Sequence, residues 1–412
     1  MAPPSEHGHA DFMIAPARLR PRTSLIFAAA LLSLVAACGG GGGGNAAPAA
    51  TQASASASAL PYTTPIKVAF VGASITAGAA GTGRMWSSQT AGWLRSKYPS
   101  VEVRDYSLSF TTSQFAAYRI DGDLQGYVPD LVFVEFAVND LLLDDNARIR
   151  YTDALIYKLR QTNPRVVIVY IAAASALDLA ARTAGTVPAH IAQIQGVTER
   201  DQVHFIDAGA ALWRHVASQG GSIFSYLPDG IHPSDQASDI YFAAVRDDLS
   251  AYLPQAAAGP ATTAYIGQSG LRTARILPAA SAIRRGCTIG DRRAENPYWR
   301  FQQALTCSGG EDFMLDFTGT SIGFVYGAGK DTGALDCTID GSAPQQVILF
   351  DSQPVETGLF LYAKLLTGLA NASHHLSCRV NAAPPTVNGI ASTGTRAVIA
   401  GFMVGGEQPV TP

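Results

Sequence analysis

From Ile66 onward the chain alternates between two textures. Short apolar runs at Lys67–Val71, Val101–Tyr106, Leu131–Ala137, Val166–Ala172 and Val203–Ile206 predict strands. The stretches between them, near Trp86–Lys97, Asp144–Gln161, Ala189–Arg200 and Ala208–Ser218, with a last one about Gln236–Tyr252, carry the spacing of amphipathic helices. Val166 to Ile171 is apolar without interruption, which suits a strand covered on both faces. Strand–helix alternation of this kind implies an α/β domain built on a parallel, doubly wound sheet. Such sheets bind ligands outside the carboxyl ends of their strands, so chemistry is sought just after each strand.

The texture changes after residues 255–263 (QAAAGPATT), which read as a linker. Short β-like runs follow at Phe313–Phe317, Ile322–Val325, Leu335–Ile339, Val347–Phe350, Leu359–Tyr362, His375–Val380 and Val398–Phe402, separated by Gly, Asp, Asn and Pro turns. Many short strands without strong helices predict an all-β sandwich over residues 264–412, after an α/β domain at 64–254.

The N-terminal segment reads as targeting. Arg18, Arg20 and Arg22 precede an apolar run from Leu25 to Ala37, too short for a bilayer core of roughly 30 Å but suited to a signal peptide. Val35-Ala36-Ala37-Cys38 resembles the lipobox of bacterial lipoproteins, which implies lipidation of Cys38 and a membrane anchor. Ordinary signal cleavage, with Cys38 an incidental thiol, is the alternative, and Met13 is an alternative start. Residues 39–63, with six consecutive glycines, form a tether reaching roughly 25 Å on average. The expected location is outside the cytoplasm, anchored to a bacterial membrane.

Composition narrows the class. With 47% apolar and 15% charged residues and a formal net charge of −3, the chain is globular and has no basic nucleic-acid footprint. The four cysteines after Cys38, namely Cys287, Cys307, Cys337 and Cys378, suggest two disulfides in an exported protein. Sequential pairing is the expectation among three arrangements.

Three strand ends carry chemistry. The first strand runs into Gly72-Ala73-Ser74-Ile75-Thr76, which would leave the Ser74 hydroxyl at its edge. Taken alone, Ser74 reads as a helix N-cap. The third strand ends in Ala137-Val138-Asn139-Asp140; the Asn139 amide could face a developing oxyanion or simply form a turn. Asp229-Gly230-Ile231-His232-Pro233 places a carboxylate within reach of an imidazole, able to hold its tautomer while it takes a serine proton.

In this order the three blocks resemble those of the SGNH (GDSL-like) hydrolases over about residues 66–253. The resemblance implies a flavodoxin-like three-layer fold, a Ser74–His232–Asp229 triad, an oxyanion hole that includes the Ser74 N–H and the Asn139 side chain, and ester hydrolysis through an acyl-enzyme without metal or cofactor. Two departures stand out. Ala73 occupies the family's usual Asp position, and Phe110 falls where a glycine normally supplies a second N–H to the hole, with Ser109 as the neighbouring choice. A positive φ at Phe110 would be strained, and its side chain would narrow the acyl pocket.

The β-rich part loosely resembles the jelly-roll-like, carbohydrate-binding modules of secreted esterases at Phe317–Gly323, Asp340-Gly341 and His375–Cys378. This makes O-acetyl groups on carbohydrate the expected substrate, with a small-molecule or polysaccharide ester as partner and a monomer as the assembly. A sandwich that packs on the catalytic domain and binds nothing is the alternative. A lipase, arylesterase or acyltransferase with the same triad, or an inactive glycan-binding lipoprotein, are the competing functions. His190, His204 and His215 read as structural, and His374-His375 as turn or surface.

Overall fold

The computed structural model describes residues 65–79, 81, 83–258, 271–295, 301–352, 360–366 and 368–405. The expected signal segment, Cys38 and the tether lie outside the described residues, as does most of the expected linker.

Five strands, β1 (Ile66–Gly72), β2 (Val101–Asp105), β3 (Leu131–Glu135), β4 (Val167–Ile171) and β5 (His204–Ile206), pair in parallel in the order β2-β1-β3-β4-β5. This is the expected flavodoxin-like order, whose topological switch lies between β1 and β3. Successive residues of β1 feed opposite layers, as a period of two requires. Val68 and Phe70 face a layer completed by Trp86, Leu94, Leu212 and Tyr241. Ala69 and Val71 face another containing Phe115, Leu155 and Ile194. The helices are α1 (Trp86–Lys97), α2 (Ser113–Asp123), α3 (Asp145–Thr162), α4 (Leu179–Thr183), α5 (Ala189–Arg200), α6 (Ala208–Gln219) and α7 (Asp235–Ala258). The last continues through Pro254 into the stretch read as linker.

Two large antiparallel sheets follow, besides a two-stranded one of Thr386–Val387 and Ile390–Ala391. One orders its strands Gln345–Ile348, Ala334–Ile339, Ala372–Val380, Asp312–Gly319 and Ile283–Arg285. The other runs Phe360–Leu366, Ser321–Ala328, Ala397–Gly405, Ala304–Cys307 and Thr288–Gly290, with Arg275–Pro278 also on Ala397–Gly405. Phe313, Phe324, Leu335, Leu376 and Phe402 fill the space between them. Each predicted β-run overlaps a strand. The unpredicted strands, such as Ile283–Arg285 and Thr288–Gly290, span two to four residues, too few to show a period. Both expected disulfides form: Cys287–Cys307, and Cys337–Cys378, whose cysteines are register partners on adjacent strands.

The sandwich and the α/β layers share a core. Ser321–Ala328 and Ala397–Gly405 are buried at every position because both faces are covered. Phe324 and Phe402 point into the sandwich. Val325, Val398 and Met403 join Ala116, Tyr118 and Leu155 of α2 and α3. The Tyr118 hydroxyl lies 2.9 Å from that of Ser321, and buried Lys158 donates to the Ala274 carbonyl. Helix α2, absent from the sequence reading, is buried over most of its middle, so its apolar positions show no clean helical stripe.

Candidate active site

The site begins where β1 must end. A Cβ on Gly72 would lie 2.6 Å from Thr76 Oγ1 and 2.9 Å from the Glu135 carbonyl oxygen, so only glycine lets the chain pass between them. The chain then turns, with the N–H groups of Thr76 and Ala77 both donating to the Ala73 carbonyl at 3.2 and 3.0 Å. Ser74 sits half-buried on this turn and caps no helix; the next helix, α1, starts at Trp86. Side chains from the first turn of α1 fix the segment from behind. Trp86 Nε1 donates to Ile75 O at 3.0 Å, Ser87 Oγ to Thr76 O at 2.7 Å and Ser88 Oγ to Gly78 O at 2.9 Å. Asp105, ending β2, accepts from the N–H groups of Gly78 at 2.6 Å and Ala79 at 3.1 Å. The serine is thereby held from two elements.

The imidazole arrives from the other side of the switch point. Gly230 takes a φ of 86° in the turn before α7, and Ser234 N–H donates to Tyr226 O at 2.8 Å, closing the loop. Asp229 Oδ1 accepts from the N–H groups of Ile231 at 2.9 Å and His232 at 2.7 Å, and Oδ2 lies 2.6 Å from His232 Nδ1. His232 Nε2 is 2.7 Å from Ser74 Oγ. The chain Asp229–His232–Ser74 is therefore continuous. Its sense requires Nδ1 to carry the proton, leaving Nε2 to accept from the serine hydroxyl. Partial burial raises the Asp229 pKa, but the bonds from His232 and Ile231 overcome it and hold this carboxyl below its ordinary value. The pair is open to solvent, with 46% of the His232 side chain and 55% of the Asp229 side chain exposed.

The remaining expected residues border the same edge. The Leu108 N–H donates to Gly72 O at 2.9 Å and the Ser113 N–H to Asp140 Oδ1 at 2.8 Å, so residues 108–113 span from the end of β1 to the turn after β3. Phe110 lies on that span with φ 62° and its side chain 58% exposed. Among the described residues 108–113, Phe110 alone has a positive φ, the backbone that glycine adopts freely. Asn139 opens the short 3₁₀ turn Asn139–Leu142 beyond β3, half-buried. Ala73 is fully buried in the layer shared with α2.

Residues 70–240 match the GDSL-like lipase/acylhydrolase family. The matched segment takes in Ser74, Phe110, Asn139, Asp229 and His232. The whole described fold is similar to a two-domain esterase (CEX) active on acetylated mannans, solved with mannopentaose. That likeness has a TM-score of 0.68 and 16% identity over 83% of this chain and 91% of that one. A second structure of a two-domain esterase (CEX) active on acetylated mannans matches with a TM-score of 0.66 and 17% identity over 83% of this chain and 92% of that one. At such identities the likeness concerns the fold. No curated protein matches by sequence.

Several residues around the site escaped the sequence. Thr76 donates its hydroxyl to Glu135 Oε2 at 2.9 Å inside the protein, and Asp140 anchors the start of α2. Only the charged residue ending the apolar run at Glu135 hinted at the first. The other described histidines also have partners that spacing hid. His190 Nε2 is 3.7 Å from Asp178, His204 bonds Asp248 and stacks on Tyr252, and His215 meets the Tyr226 hydroxyl at 3.1 Å. His374 and His375 lie in strand Ala372–Val380, with Nδ1 atoms 2.6 Å from Asp340 and 2.7 Å from Asp316.

Proposed function

We propose that the protein is an exported serine esterase that removes O-acetyl groups from a polysaccharide, tethered to the membrane through lipidated Cys38. The observation that carries the catalytic part is the unbroken hydrogen-bond chain from Asp229 through His232 to Ser74 at the switch point of the sheet. Ser74 Oγ attacks the ester carbonyl while His232 Nε2 takes its proton. Asp229 keeps Nδ1–H pointed at itself and stabilises the imidazolium. The negative oxygen of the tetrahedral intermediate is held by the N–H groups of Ser74 and Phe110 with the Asn139 amide. His232 then returns the proton to the leaving sugar hydroxyl, and water repeats the sequence on the acyl-enzyme to release acetate.

The open position of His232 and Asp229 supports a polymeric substrate, because a bulky alcohol can lie across an exposed triad. The fold shared with an esterase active on acetylated mannans supports the acetyl group and the glycan. The test is acetate release from acetylated mannan and xylan by wild type and Ser74→Ala, with fluorophosphonate labelling alongside. Loss of both release and labelling in Ser74→Ala is expected; wild-type turnover in that variant sinks the assignment.

A second reading has an observation of its own. Leu142, Leu177 and Phe224 stand exposed on the loops around the same edge, Leu142 by 76%. These side chains favour an apolar acyl or alcohol group. Preference for longer p-nitrophenyl esters over acetylated glycans would select this lipase-like reading.

A further inference from the structure

Glu135 ends β3 directly opposite Gly72 in the parallel register and is completely buried. Its Oε2 receives the hydroxyl of Thr76, two residues from the nucleophile, while Oε1 is buried without a hydrogen-bond partner. Among the described residues no positively charged group acts on Glu135 directly. Asp140 faces it from the turn after β3, Tyr170 from β4 and Tyr241 from α7. Arg148 of α3 is spent elsewhere, with Nε donating to the Asp140 carbonyl and other N–H groups to Leu143 O and Asp145. A buried carboxylate left this way is costly, whereas the neutral acid is tolerated.

We propose that Glu135 is a positioning residue that supports turnover only as the neutral acid. Uncharged, it still accepts the Thr76 hydroxyl, and so holds the turn presenting Ser74 without placing a charge there. Ionised, it adds a buried negative charge next to the turn that presents Ser74, which opposes the negative charge developing on the substrate oxygen, since like charges repel strongly away from water. Burial pushes the Glu135 carboxyl up to about 8; the Thr76 bond opposes this shift and Asp140 adds to it. Asp140, itself pushed up to about 7 by burial, makes the two carboxyls a coupled pair. The inference rests on the ester-hydrolase reading and adds its pH control.

The experiment uses the purified full chain, with kcat and KM for p-nitrophenyl acetate followed from about pH 5 to about pH 10. Wild type should lose kcat on the order of tenfold as Glu135 ionises, with KM little changed. Glu135→Gln, a neutral isostere, should lose that alkaline limb. Thr76→Val removes a bond that favours the carboxylate and should move the limb to higher pH. Stability adds an independent readout. The folded state keeps a proton that the unfolded chain releases, so wild-type stability should fall as pH rises from 4.5 to about 8, and Glu135→Gln should flatten that slope. An identical limb in wild type and Glu135→Gln overturns the inference. If that variant does not fold, an unmoved limb in Thr76→Val does the same. Absent turnover and absent fluorophosphonate labelling in wild type at neutral pH would instead remove the esterase reading beneath it.

Discussion

A phenylalanine held at φ 62° sits in a region that costs roughly 1–2 kcal/mol for an L-residue, and here it lies, largely exposed, on the span between the end of β1 and the turn after β3. Glycine would adopt that backbone freely but would give part of the gain back through the entropy of the unfolded chain. Phe110→Gly should therefore change thermal stability little. It should raise kcat/KM for butyrate and longer p-nitrophenyl esters relative to acetate, because the ring no longer limits the acyl side. An unchanged chain-length profile would remove Phe110 from the acyl pocket. At this scale the sequence was legible where function is written in contiguous residues. Ser74 and the Asp229–His232 pair each sit in a short block tied to a strand end or turn. The Thr76–Glu135 bond was illegible because its partners are 59 positions apart and no spacing rule joins them.

Among the elements, β1 and the turn after it bear the tightest steric demand. Both Thr76 atoms nearest a hypothetical Gly72 Cβ, and the Glu135 carbonyl, lie under 3.0 Å from it. Gly72→Ala must displace either the nucleophile turn or β3, an overpacking cost of about 1–3 kcal/mol or more. The expected outcome is a lower melting temperature together with lost fluorophosphonate labelling of Ser74. Normal labelling in a destabilised protein would show that the turn yields without moving the serine. Strands β1, β3 and β4 were readable because burial on both faces makes them largely continuous apolar runs. Helix α2 was not, since covering it on several sides removes the polar face that makes a helix recognisable. The same double covering leaves Ser321–Ala328 and Ala397–Gly405 buried throughout, though their apolar runs still signalled strands.

For the whole molecule, the sequence marked a change of texture after residue 254 but not how closely the two halves are joined. Their contact is a continuation of one apolar layer, with Tyr118 and Lys158 reaching across it. A chain ending at Ala258 would leave Tyr118, Ala116 and neighbouring apolar positions of α2 and α3 facing water. Exposed apolar patches of this kind drive association. That truncation should express as aggregate or unfold without a sharp transition, while the full chain should melt in a single calorimetric peak. A soluble, cooperatively folding and active fragment would contradict this. The consequence reaches beyond stability. A binding module hung on a flexible linker can be exchanged for another, whereas a sandwich whose strands form the back wall of α2 cannot be replaced without redesigning the helix it covers. Lineages carrying this architecture should then gain and lose the two halves together, as a single heritable piece.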